Sequence, residues 1–196
     1  MKQHSTPNII LIAGPNGSGK STTAPQLLRD TMGVVEFVNA DAIAVGLSAF
    51  RPEQAAIQAG RIMLARMQQL AENQKDFAFE TTLASRSFAP WIKQLKQERG
   101  YRCHLFFLWL PNPEIAIARV AERVRSGGHD VPESVIRRRY RAGLNNFFQL
   151  YKPLADTWRF YDNSSRSPEL IALGKGNREV IHHEEKWVQI TGDEGA

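Results

Sequence analysis

Apolar positions along this chain fall into two alternating patterns. Short unbroken runs, as in "IILIA" and "LFFLWL", read as strands buried on both faces. Between them, apolar residues recur every three or four positions in longer stretches, the mark of amphipathic helices. In order, the pattern predicts a strand at "NIILIAG", a helix from Gly19 to about Asp30, a second strand at "VVEFVNAD" and a short helix behind it. A long helix in "RPEQAAIQAGRIMLARMQQLAENQ" precedes a third strand at "DFAFETT" and a helix in "SFAPWIKQLKQERG" that stops at Gly100. The central strand is "YRCHLFFLWLP". Two helices follow it, "PEIAIARVAERVRS" and "PESVIRRRYRAGLNNFFQLYKPLA", each with proline in its first turn, where the missing N–H costs nothing. A fifth strand at "TWRFYDN" and a hairpin over about 168–182, turning at Gly174–Asn177, complete the chain, with a frayed tail after Thr191. Continuous apolar strands alternating with helices predict an α/β, three-layer fold: a mostly parallel central sheet of about five strands with helices on both faces.

Composition narrows the class. With 196 residues, no repeat and no low-complexity tract, the chain reads as a single domain over 1–196. The longest apolar run, Leu105–Leu110, holds six residues, against roughly 18 for a membrane span. The start "MKQHSTPN" does not read as a signal peptide. Cys103 is the one cysteine, so no internal disulfide forms, and the expectation is a cytoplasmic protein with no membrane association. The net charge of +5 is concentrated locally: between Arg119 and Arg141 stand seven arginines and three acids.

Gly14-Pro15-Asn16-Gly17-Ser18-Gly19-Lys20-Ser21 fits G-x4-G-K-[ST] at every fixed position, with a buried strand before it and a helix after it. Such a loop turns its amides inward onto phosphate oxygens, and the following helix adds the positive end of its dipole. The motif assigns Gly14 to Ser21, with Thr22 next to it, to ATP or GTP. Lys20 takes the β- and γ-phosphates and Ser21 the Mg2+ ion. The fold is therefore expected to be of the P-loop NTPase type.

The acceptor of the γ-phosphate is read from the acids. The strongest strand ends in "LPNP" without one, whereas Asp41 follows the second strand and Glu80 ends the third. In a parallel sheet the carboxyl ends share one edge, so both carboxylates face the nucleotide. Asp41 is a candidate to orient an acceptor hydroxyl and take its proton, or alternatively to cap the next helix. Glu80, Thr82 and Arg86 form a polar group suited to an acceptor, or alternatively the entry to a helix.

The stretch "RVRSGGHDVPESVIRRRY" joins two arginine-rich helices through glycines and reads as a hinged helical lid over about 119–141. Arg119 and Arg123 share a helix face, as do Arg138 and Arg141, while Arg137 and Arg139 point elsewhere. Closing such a lid excludes water and brings guanidinium groups onto phosphates. His129 reads as a structural turn residue.

"GPNGSGKST", "VNAD", "FETT" and "RSGGHDVPESVIRRRY", in this order, resemble the zeta-toxin family of P-loop kinases, and in particular its short bacterial branch of predicted ATPases. The resemblance spans about residues 8–163. It implies phosphorylation of a sugar hydroxyl, with UDP-N-acetylglucosamine as acceptor, and a small antitoxin-like partner protein that blocks the ATP site. Carried over by position, it implies Lys20 and Ser21 for nucleotide and metal, Asp41 as general base, and Glu80 with Thr82 for the acceptor. It also implies two phosphate-binding arginines, Arg123 or Arg125 before the glycines and Arg138 after them. Where better-known members carry a Gly-Thr-x-Arg-like turn after the acid, this chain reads "ETTLASR". The leading expectation is a kinase acting on a small anionic acceptor. A nucleic-acid-linked NTPase or kinase and a nucleotide-dependent binding module with little turnover stand as alternatives.

Overall fold

The computed structural model describes residues 6–28, 33–128 and 130–192. The helix end near Asp30, His129 and the tail beyond Gly192 lie outside the described residues. Seven strands form one sheet in the order β2-β3-β1-β4-β5-β6-β7. β1 (Asn8–Ala13) lies at its heart, with β3 (Phe77–Thr81) and β2 (Phe37–Val38) on one side and β4 (Arg102–Trp109) and β5 (Thr157–Asp162) on the other, all parallel. Residues Ile9 to Ala13 are fully buried, as strands covered on both faces must be.

The sheet exceeds the expected five or so strands because the C-terminal hairpin extends it. β6 (Glu169–Lys175) adds antiparallel to the open edge of β5, and β7 (Arg178–Ile181) pairs with β6. Edge backbone groups of β5 need partners, and β6 brings buried Ile171 and Ala172 to the core as it supplies them.

Helices α1 (Lys20–Gln26), α2 (Ala40–Leu47), α3 (Ala56–Glu72) and α4 (Phe88–Arg99) follow the first three strands. The long segment opening at Arg51 starts with a 3-10 turn at Pro52–Ala55 before α3 begins. Two arms, α5 (Pro113–Arg125) and α6 (Glu133–Asn146), follow β4. α6 does not run on to residue 155: a π-helical turn, Phe147–Tyr151, and a 3-10 turn, Lys152–Leu154, replace its last part. This arrangement drives Phe147 and Tyr151 into the core, Phe147 lying 5.0 Å from the Phe107 ring.

A helix the pattern did not announce, α7 (Glu184–Gly192), closes the far side. Its Trp187 stacks on Trp158 at 5.7 Å and meets Phe160 edge-on at 5.5 Å. Gly174 makes room for the Trp158 ring, because a Cβ there would strike the indole. Among the described residues, no helix is long and apolar enough to cross a membrane.

Candidate active site

The carboxyl ends of β1, β2, β3 and β5 meet at one edge of the sheet, and the register decides which side chains meet there. Ile12 pairs with Glu80 and Ala13 with Thr81, so the glycine loop leaves β1 directly beside the end of β3. Val38 pairs with Phe79, which carries Asn39 to the level of Glu80.

The loop is held from two sides. Gly17 has φ 75°, and a Cβ on it would lie 2.8 Å from the Ala116 carbonyl of α5. Only glycine combines that backbone with so close a neighbour. From β5, Asn163 Nδ2 donates to the Ser18 carbonyl at 2.6 Å. Lys20, 6% exposed, donates to the Pro15 carbonyl at 2.8 Å and lies 3.7 Å from Glu80 Oε1. Burial lowers its pKa from the ordinary lysine value; Glu80 and Asp41 pull it back up, while Arg123 pushes it further down.

Asn39 ties three parts of this edge together. Its Oδ1 accepts from the amides of Asp41 (2.8 Å) and Ala42 (3.1 Å), so Asn39, and not Asp41, caps α2. Its Nδ2 donates to Glu80 Oε2 at 2.6 Å and to Ser21 Oγ at 3.4 Å, while Ser21 Oγ donates to the same Glu80 oxygen at 2.7 Å. The Asp41 carboxylate is thus not consumed by capping and stays exposed. Asn39→Ala is expected to destabilise the fold by about 1–2 kcal/mol through the lost cap and an orphaned carboxylate oxygen. Asn39→Ser, which restores only the cap, should recover about half of that. Urea unfolding midpoints measure both, and equal losses in the two variants would refute the capping share.

Two cavities meet at this edge. The larger, about 310 Å³, is walled by Gly17, Gly19, Ser21, Thr22, Arg119 and Arg123. The smaller, about 160 Å³, is walled by Asn39, Ala40, Thr81, Thr82 and Arg139. Asn16, Lys20, Asp41 and Glu80 line both, so they mark the place where the cavities communicate.

The segment after β3 is clamped by α6. Asn146 Nδ2 donates to the Leu83 carbonyl at 2.7 Å, and Tyr151 Oη donates to the Ser85 carbonyl at 2.6 Å. Gly143 packs onto the Thr82 carbonyl with no room for a Cβ. Leu83, fully buried, takes φ 56°, a conformation unusual for a branched residue and one that the surrounding clamp must hold. Arg86 is exposed and lines neither cavity.

Arginines of the two arms take different stations. Arg119 Nη1 donates to Asn163 O at 2.8 Å and Nη2 to Ser164 O at 2.7 Å. Arg137 bonds Glu114 at 2.6 Å and Glu133 at 2.8 Å, tying α6 to α5, while Arg125 pairs with Glu122. Arg138 and Arg141 are exposed and line neither cavity. Arg139, which the sequence pattern turned away, reaches Asn16 Oδ1 at 3.5 Å and walls the smaller cavity. The signal was present: Ile136, Arg139 and Gly143 stand three and four apart, and buried Ile136 and Gly143 fix that face as the inward one.

The sequence matches the family described as Zeta toxin over residues 1–167. An uncharacterized protein of Haemophilus influenzae is 34% identical over 131 residues, which cover 67% of this chain and 91% of that protein. The fold is that of P-loop kinases. The crystal structure of the AvrRxo1-ORF1:AvrRxo1-ORF2 complex with sulphate ions superposes with TM-score 0.76 at 16% identity, over 96% of this chain and 64% of that one. The chain thus spans less than two thirds of that protein. A structure of the PezAT chromosomal toxin-antitoxin system of Streptococcus pneumoniae superposes with TM-score 0.65 at 14% identity, covering 98% of this chain and 81% of that one.

Proposed function

We propose, from the premise that this chain belongs to the zeta toxin family, that it is a kinase transferring the γ-phosphate of ATP to a hydroxyl of a small anionic acceptor. The observation that carries this reading is the pair of communicating cavities with Lys20, Asp41 and Glu80 at their junction. A hydrolase needs one nucleotide pocket and a water; a kinase needs a second pocket facing the γ-phosphate.

In this reading the larger cavity takes the nucleotide. The loop amides and Lys20 bind its phosphates, and Arg123 adds positive charge beside Lys20. Ser21 Oγ and the Glu80 carboxylate are hard oxygen donors that fit Mg2+, which when bound neutralises charge on the phosphate oxygens. The smaller cavity takes the acceptor. Thr82 offers a hydroxyl to it, Arg139 offers a cation to an anionic group, and Asp41 accepts the proton of the attacking hydroxyl. Arg86 and Arg138 keep no role here unless the arms move.

A nucleotide sugar such as UDP-N-acetylglucosamine is the acceptor we propose. By the same membership we propose a small antitoxin-like partner. The test is incubation with γ-labelled ATP, Mg2+ and separate panels of nucleotide sugars, nucleosides and oligonucleotides. Label on a nucleotide sugar is the expected result. Label on oligonucleotide ends would replace the acceptor, and free phosphate alone would overturn the kinase reading.

A further inference from the structure

Arg119 sits in the larger cavity but is held unlike a phosphate-gripping arginine. Its Nη1 is drawn toward two backbone carbonyls, Asn163 O at 2.8 Å and Gly17 O at 3.5 Å, and its Nη2 bonds Ser164 O at 2.7 Å. The edge that would chelate phosphate oxygens in a fork is largely occupied by these carbonyls. What such a guanidinium still offers is its flat face, fixed in orientation by three anchors from two different loops.

Its position says what that face would meet. The residues shared by both cavities mark the end where the transferred group lies. Arg119 and Thr22 wall only the larger cavity, and Thr22 lies past Lys20 and Ser21 along the motif, so this wall belongs to the part of a nucleotide away from the γ-phosphate. Arg123, one helical turn further along α5, is the arginine that acts electrostatically on Lys20; Arg119 is not among the groups that do. The two arginines on one helix face therefore divide the donor between them.

We infer that Arg119 is the platform on which the nucleobase stacks, its guanidinium plane locked by the loop after β5. The inference rests on the nucleotide-binding reading of the larger cavity. Stacking of a planar cation on an aromatic ring reads the face of a base and not its edge. ATP and GTP should therefore depend on Arg119 equally.

Calorimetric binding of ATP, GTP and inorganic tripolyphosphate, with Mg2+, to the full chain tests it. Arg119→Ala is expected to weaken ATP and GTP by about tenfold each and to leave tripolyphosphate nearly unchanged. Arg119→Lys keeps the charge but not the plane, so it should behave like the alanine variant for ATP. Parallel loss of ATP and tripolyphosphate in Arg119→Ala, with recovery in Arg119→Lys, would make Arg119 a phosphate ligand and overturn the inference. Parallel loss in both variants with a lowered melting temperature would make it a structural brace and overturn it as well. Should neither variant fold, wild-type protein decides: tripolyphosphate binding as tightly as ATP would leave no base platform. Wild-type protein that binds neither ligand would overturn the nucleotide reading beneath the inference, which is a separate and distinguishable failure.

Discussion

Asp41→Asn is expected to lower the rate of phosphoryl transfer by roughly 10²- to 10⁴-fold, the range for a lost general base, while ATP affinity stays nearly unchanged. The substitution is close to isosteric at an exposed position. The group that Asn39 holds is the backbone amide of Asp41, which the substitution retains. Loss of a carboxylate in the first turn of α2 should cost only about 0.3–1 kcal/mol of favourable interaction with the helix dipole. Chemistry should therefore suffer far more than folding or nucleotide binding. Label transfer to the acceptor found in the panel gives the rate, and calorimetry with ATP gives the affinity. Equal losses in the two would make Asp41 a nucleotide ligand and remove its assignment as base.

Much of this site was legible because its parts are local. The glycine loop is eight consecutive residues between a buried strand and a helix, and its backbone conformation follows from those residues alone. Asp41 and Glu80 were found because each follows a strand whose carboxyl end must reach the same edge. Asn39 was passed over although it lies inside the quoted "VNAD". Its work depends on Glu80, 41 positions away, and on Ser21, 18 positions away, and only the β2–β3 register brings them together. A polar residue before a helix announces a cap; it does not announce what its other end touches.

The strand count failed for a related reason. A hairpin is a local object, but whether it stands apart or extends a sheet depends on a vacant edge elsewhere, here that of β5. The α7 helix was missed because its apolar content is slight, with Trp187 and Ile190 as its buried residues. Its stability comes from the Trp158 and Phe160 rings beneath it, which no window of sequence around it contains.

The arms separate neighbouring arginines sharply, and the expected kinetics follow. Arg139→Ala should lower turnover by roughly 10³-fold, the lower end for an arginine that stabilises charge in phosphoryl transfer. Arg138→Ala, one residue away, should change it little. On α6 these two residues point about 100° apart, so the burial of Ile136 and Gly143 that turns Arg139 inward also turns Arg138 out. Arg139 holds Asn16 Oδ1 only loosely, at 3.5 Å, a bond long enough to be exchanged for a stronger one to a phosphoryl oxygen. Asn16 itself lines the junction of the cavities, so the exchange needs no large movement of α6. Arg139→Lys should recover only part of the loss, since an ammonium group cannot grip two oxygens in a plane. Arg123→Ala, on the nucleotide side, should instead weaken ATP binding along with turnover. A reversed ranking, with Arg138→Ala crippled and Arg139→Ala active, would mean that α6 rotates before the reaction and that the inward face seen here is a resting one.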